Sequence, residues 1–171
     1  MIKQTILAVL MTAFIPMLLL SNAAGADHAA PSAGAKGMPG ALGTIEYKPA
    51  DWKGKVILVD FWATWCGPCV QELPRVKKAY ADFHDKGLEI LGVSNDQQAD
   101  ALKKFVAADP AMPWPQLFDT KAAAAGDWNP ITKGFGINGI PTMFLIDKKG
   151  ICRTVSAREN FEELIPKMLA E

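Results

Sequence analysis

Val56-Ile57-Leu58-Val59-Asp60-Phe61-Trp62 runs almost directly into Cys66-Gly67-Pro68-Cys69, and this junction constrains the fold more than any other part of the chain. A short run rich in β-branched and aromatic residues suits a strand covered on both faces. After the second cysteine, Leu73, Val76, Tyr80 and Phe83 fall at helical spacing, which predicts a helix from about Cys69 to His84, kinked at Pro74. Cys66 is therefore expected at a helix N-terminus, where unpaired amides and the helix dipole stabilise negative charge on sulfur. Pro68 suits the first helical position because its missing N–H would have no partner there. Two residues between the cysteines let Cys69 turn back to face Cys66, and in such motifs the nucleophile's pKa falls from about 8.5 to roughly 3.5–7.5. A bare Cys-x-x-Cys also fits a structural clip or half a metal site. A strand before it, a helix after it and no other close cysteine pair favour redox chemistry.

The rest of the chain reads as further elements of one α/β unit. Leu88 to Val93 is a second buried strand and Ala101 to Ala107 a second helix. Pro110, Pro113 and Pro115 interrupt the chain before a brief strand around Leu117-Phe118. Lys121 to Lys133 is ambiguous, its alanines favouring a helix that Gly126, Asn129 and Pro130 oppose. Met143 to Ile146 is a third clear strand, followed by a turn at Lys148-Lys149-Gly150 and a hairpin partner at Ile151 to Val155. Phe161, Leu164, Ile165, Met168 and Leu169 make a final amphipathic helix. The order β-α-β-α-(β)-β-β-α gives an α/β class with a mixed central sheet flanked by helices.

Residues 1–26 read as a signal peptide. Lys3 precedes an apolar run from Ile6 to Leu20, and Ala24-Gly25-Ala26 fits the small-x-small cleavage rule. The run is shorter than the roughly twenty residues a bilayer crossing needs. An uncleaved anchor is the alternative, and no cysteine follows the run to carry a lipid. Residues 27–42, mostly Ala, Gly, Pro and Ser, read as a flexible spacer, and residues 43–171 as the folded domain. The localisation that follows is periplasmic or otherwise extracytoplasmic.

Composition removes several function classes. Basic and acidic residues number eighteen each, so no overall charge favours nucleic acid or an anionic membrane, and the five tryptophans do not interleave with basic clusters. Cys66, Cys69 and Cys152 are too few for a disulfide-stapled scaffold. His28 and His84 lie far from the pair without ligand-like spacing, so neither a metal nor any cofactor is expected. Cys152, in the hairpin strand, is expected to be a buried small hydrophobe.

Two segments carry a family resemblance. Val59-Asp60-Phe61-Trp62-Ala63-Thr64-Trp65-Cys66-Gly67-Pro68-Cys69 resembles the active-site segment of thioredoxins, and Gly139-Ile140-Pro141-Thr142-Met143-Phe144-Leu145-Ile146-Asp147 resembles their cis-proline loop and following strand. The Pro113-Trp114-Pro115 insertion and the exported N-terminus are closer to the TlpA/ResA branch, extracytoplasmic thiol–disulfide oxidoreductases. The likeness runs from about Gly43 to the end, loosely between Ser94 and Phe135. It implies a thioredoxin-like fold with Cys66 as nucleophile, Cys69 as resolving thiol, and Pro141 as a cis-proline opposite them. It places Asp60 on the buried aspartate that assists deprotonation of the second cysteine, and Glu72 on a glutamate the branch places after its motif. Trp65, Gly67, Pro68, Ile140 and Pro141 form the implied substrate-binding surface. Each has a duller reading: Asp60 as a backbone partner, Glu72 as a complement to the helix dipole, Pro141 as an ordinary trans turn proline, and Trp62 and Trp65 as packing.

The resemblance also implies disulfide-bearing or dithiol proteins as partners, a membrane-embedded electron donor, a monomeric state, and cytochrome c maturation as a frequent role. Gly67-Pro68 resembles cytosolic thioredoxins, whose potential is about −270 mV against about −120 mV for a DsbA-type oxidant, so a reductant is expected. Two rivals are weighed against it. A thiol peroxidase of the peroxiredoxin kind needs Thr or Ser three residues before its cysteine, where Ala63 stands. The other is a non-enzymatic binding or metal-carrier module; copper carriers of related fold space their cysteines by three residues and add a histidine, neither of which stands here.

Overall fold

Seven consecutive residues of the predicted first strand are buried, and the computed structural model makes them β3 (Val56–Trp62), the centre of a five-stranded sheet. The structure describes residues 52–171 and the backbone of two short antiparallel strands, β1 (Ala41–Leu42) and β2 (Ile45–Glu46). The expected signal peptide, and the spacer up to residue 40, lie outside the described residues. Among those described, no helix is long and apolar enough to cross a membrane.

β3 is followed by α1 (Gly67–Phe83), β4 (Leu88–Ser94), α2 (Ala99–Ala107) and β5 (Gln116–Leu117). Then come α3 (Thr120–Ala124), α4 (Pro130–Gly134), β6 (Thr142–Ile146), β7 (Cys152–Thr154) and α5 (Phe161–Ala170). The sheet order is β5-β4-β3-β6-β7. β3 pairs in parallel with β4, as β4 does with β5, while β6 runs antiparallel to both β3 and β7. This is the mixed sheet flanked by helices that the element order predicts.

Two regions differ from the sequence reading for physical reasons. α1 starts at Gly67, two residues earlier than expected, because Cys66 acts as its N-cap and Pro68 needs no donor partner in the first turn. The helix continues through Pro74, burying Cys69, Leu73, Val76 and Ala79 along one stripe. The ambiguous alanine segment becomes two short helices. Asp119 caps α3 through Ala122 N–H at 2.7 Å, and Asn129 caps α4 through Ile131 N–H at 3.0 Å. Pro130, read as an obstacle to one helix, opens the second.

Alternation along the strands divides the core into two layers. Val56, Leu58 and Trp62 pack with Leu88, Ile90, Leu145 and the buried stripes of α1 and α5. Ile57, Val59 and Phe61 face the other way, against Leu91, Val93, Leu117, Ile131, Phe144 and Ile146. Asp60 falls between Leu58 and Trp62 on the first of these faces.

Candidate active site

The chain leaves β3 at Trp62, and the turn at Ala63, Thr64 and Trp65 delivers it to α1. Cys66 N–H donates to the Ala63 carbonyl at 3.1 Å, which closes that turn. Cys66 keeps extended backbone angles as the N-cap, and its Sγ accepts from Cys69 N–H at 3.2 Å. An orphan amide of the first helical turn thus points at sulfur, the arrangement that favours a thiolate when the bond is open. Cys66 and Cys69 form a disulfide with their Cα atoms 5.2 Å apart. Both are almost wholly buried, whereas Gly67 and Pro68 between them are exposed.

The second segment arrives from β6. The Ile140–Pro141 peptide is cis, and the Ile140 carbonyl oxygen lies 3.8 Å from Cys66 Sγ. Of the residues expected at the substrate-binding surface, Gly67 and Pro68 lie between the cysteines, Trp65 precedes Cys66, Ile140 reaches its sulfur, and Pro141 follows Ile140. Trp65 is 58% exposed beside it, the most open large apolar side chain among the described residues. A cleft of about 350 Å³ begins at Pro141 and Thr142 and is walled by Val155, Glu72, Arg75 and Arg158.

The two carboxylates have opposite surroundings. Asp60 is 3% exposed and its Oδ1 has no hydrogen-bond partner. Burial, and secondarily the negative charge of Glu72, push its pKa up to about 7. Glu72 has both oxygens engaged: Oε2 accepts from Arg75 Nη1 at 2.6 Å, and Oε1 accepts from Arg158 Nη2 at 3.0 Å and Nε at 3.1 Å. Arg75 is in turn held by Glu162 through Nε and Nη2, each at 2.6 Å, and lies over the Phe161 ring. Glu72 is thus an electrostatic neighbour of Asp60 with its own lone pairs committed to guanidinium groups. Cys152 is half-buried rather than buried. Its Sγ donates to the Thr154 carbonyl at 3.5 Å, and burial pushes its thiol pKa up.

Asp96 is the positioning residue that sequence reasoning missed. Buried just beyond the end of β4, it accepts from Thr64 N–H at 3.0 Å, from Thr64 Oγ1 at 2.6 Å and from Ser94 Oγ at 2.8 Å. It ties the turn before Cys66 to the neighbouring strand. The signal was topological: β3 and β4 are parallel, so residues just past their C-terminal ends meet at one edge of the sheet, where sites of α/β folds gather.

A disulfide capping the helix that follows a central strand, with the carbonyl before a cis-proline near its first sulfur, defines the thioredoxin-fold class of dithiol sites. Within that class the chain belongs to the AhpC/TSA family, whose profile matches residues 26–155. It is 35% identical over 122 residues to the thiol-disulfide oxidoreductase ResA of Bacillus thuringiensis, covering 70% of this chain and 64% of that protein. It is also 32% identical to the thioredoxin-like protein YneN of Bacillus subtilis over 61% of this chain and 58% of the relative. The chain thus spans somewhat under two thirds of these relatives' length. Among solved structures, a thiol:disulfide interchange protein of Chlorobium tepidum superposes with a TM-score of 0.59 at 28% identity, over 72% of this chain and 86% of that one. These likenesses bear out the TlpA/ResA-like reading and the thioredoxin-like fold.

Proposed function

We propose that this chain is an exported thiol–disulfide oxidoreductase that reduces disulfides in other proteins. The observation that carries the reading is the Cys66–Cys69 disulfide at the N-terminus of α1, facing Ile140–Pro141 and lying on the same sheet face as Asp60. In the reduced protein the Cys66 thiolate attacks one sulfur of the substrate disulfide. A mixed disulfide forms and the other substrate sulfur leaves as a thiolate. Cys69 then loses its proton to the Asp60 carboxylate and attacks Cys66 Sγ, releasing the second substrate thiol and closing the bond seen here. A carboxylate with a pKa near 7 holds or releases a proton in the range where this step operates.

Trp65 and the cleft beside Pro141 offer the substrate chain an apolar contact and a groove. The oxidised pair must be reduced again, and a membrane-embedded donor carrying cytosolic electrons fits an exported protein. Delivery of apocytochrome c thiols for haem attachment is the pathway use we assign. Ala63, fully buried, offers no hydroxyl near the sulfur, which argues against peroxide as the substrate.

Trapping tests the roles of the cysteines. Cys69→Ser should accumulate a mixed disulfide through Cys66, and Cys66→Ser should accumulate none; equal trapping by both overturns the assignment. The potential of the Cys66/Cys69 couple, expected nearer −270 mV than −120 mV, tests the direction. Mass spectrometry of the exported protein should find Asp27 or a near neighbour first, whereas full-length protein in the membrane fraction means an anchor.

A further inference from the structure

Asp60 pairs in register with Gly92, and Gly92 with Gln116, so one row crosses β3, β4 and β5. Neighbouring residues in a parallel row point to the same face, and the assignments of the flanking residues agree. Leu58 and Trp62 lie on the layer of α1, and Leu117, the neighbour of Gln116, lies on the opposite one. Asp60 and Gln116 therefore share the face that holds Cys69, with no side chain between them. The glutamine amide fills the space over the glycine. A Cβ added to Gly92 would meet Gln116 Oε1 at 1.8 Å and Nε2 at 2.8 Å.

The amide is also oriented. Trp62 Nε1 donates to Gln116 Oε1 at 2.9 Å, which leaves Nε2 as the free donor. Among the described residues three buried side-chain polar atoms have no partner: Asp60 Oδ1, Gln116 Nε2 and Thr132 Oγ1. The first two are an acceptor and a donor in the same row, both about 97–98% buried. A buried unpaired polar atom is costly, and these two, with no hydrogen bond between them, are a complementary acceptor and donor on either side of a glycine. Gln116 is a weak choice for packing at a site where Leu or Met would fill the same volume.

We propose that Gln116 is a positioning residue for the resolving step, its Nε2 donor acting across Gly92 on the carboxylate of Asp60. The assignment deepens the oxidoreductase reading and rests on it for its catalytic meaning. A donor that faces the ionised form favours that form, so Gln116 restrains the upward pull that burial exerts on Asp60. It keeps the carboxylate available to take the Cys69 proton. On the same layer α5 contributes the apolar Phe161, Ile165 and Met168. α1 presents Cys69 and the charged Glu72, the latter clasped by Arg75 and Arg158; β4 and β6 present Gly92 and Met143 at this row.

The test uses the oxidised wild-type protein, in which neither Cys66 nor Cys69 titrates. The Gln116 side-chain amide resonances should move between pH 5 and 9 with the midpoint of the Asp60 carboxyl carbon, and should stay still in Asp60→Asn. Amide signals that stay flat while Asp60 titrates overturn the proposal, whether or not the protein exchanges disulfides. Gln116→Met, of similar size without a donor, should raise the Asp60 midpoint by about one pH unit. The pH profile of Cys69 resolution should rise with it, while the first attack by Cys66 keeps its rate. An unmoved midpoint in folded Gln116→Met also overturns the proposal. A moved midpoint with no disulfide exchange by the wild type leaves the pairing standing and removes the oxidoreductase reading instead.

Discussion

The same strands supply both faces of the sheet, and the two faces differ in kind. Ile57, Val59, Phe61, Leu91, Val93 and Leu117 build a layer in which Phe61 packs against the rings of Phe135 and Phe144, with centroids 6.1 and 5.0 Å away. One residue along each strand, the opposite layer admits Asp60, Gln116 and the Cys66–Cys69 disulfide among Leu58, Ile90 and Leu145. A dry apolar face fixes the register, because a slip by one residue would exchange the two layers. That constraint lets the other face carry a poorly solvated acid where Cys69 needs one. Stability and chemistry are thus separated by a rotation of 180° per residue rather than by distance.

The largest expected effect tests whether that separation holds. Phe61→Ala removes a fully buried ring from the apolar layer and should cost about 3–5 kcal/mol by denaturant unfolding. The potential of the Cys66/Cys69 couple should stay within about 30 mV, a tenfold change in its exchange equilibrium. A larger shift would mean that the apolar face is coupled to the chemistry.

Asp60→Asn probes the other face. Folding raises the Asp60 pKa from 3.8 to about 7, so between those values the folded state holds a proton that the unfolded chain has lost. Stability from this residue is fully present below about pH 4, falls as pH rises through 7, and is then level. About three pKa units correspond to a change on the order of 4 kcal/mol. The wild type should lose that stability relative to Asp60→Asn across this window. Asp109, Asp127, Asp147 and Glu162, whose pKa values are lowered by their hydrogen-bond partners, are common to both proteins and cancel. The same substitution should slow resolution by about 10- to 100-fold. Parallel stability curves, or wild-type resolution from pH 6 to 9 in stopped flow, would make Asp60 structural.

Glu72→Gln should do less in each respect. Its charge is the secondary cause of the Asp60 shift, so removing it should lower the midpoint of the resolving step by less than one pH unit. The arginines it releases, Arg75 and Arg158, are 39% and 45% exposed at the side chain, so the stability lost should be about 1 kcal/mol or less. A slowing equal to that of Asp60→Asn would make Glu72 the proton acceptor.

The elements that carry this contrast were legible in the sequence, though the division between the faces was not. Seven near-continuous apolar residues, a proline after the first cysteine and helical spacing after the second placed the strand, the helix and the disulfide. Local rules sufficed because all three lie within residues 56–83. Residues held by long-range register were not legible. Gln116 shares a row with Asp60 only through Gly92, and Asp96 meets Thr64 from 32 positions away. The clasp of Arg158 on Glu72 joins residues 86 apart. Of the buried polar residues on this face the sequence singled out Asp60 alone, because which others join it depends on which strands lie side by side.

The smallest expected effect concerns Cys152, which packs partly against the apolar layer at the end of β7. A thiol reacts as its thiolate, and burial pushes this one above its ordinary range. It lies in a strand, and its Sγ meets a carbonyl oxygen, which repels negative charge. In the oxidised protein Cys152 is the only free cysteine, so thiol labelling reads it alone. The rate should fall below that of a cysteine in an unfolded peptide at pH 7 and rise about tenfold per pH unit through pH 8 to 9. Cys152→Ala should leave the potential and the resolving rate unchanged and cost about 1 kcal/mol or less, since part of the side chain is already in contact with solvent. Fast labelling at pH 7 would show a reactive thiol on the apolar side and end the division of labour between the faces. Slow labelling that accelerates only with alkali would confine the thiol chemistry of the oxidised and reduced protein to the face that carries Asp60.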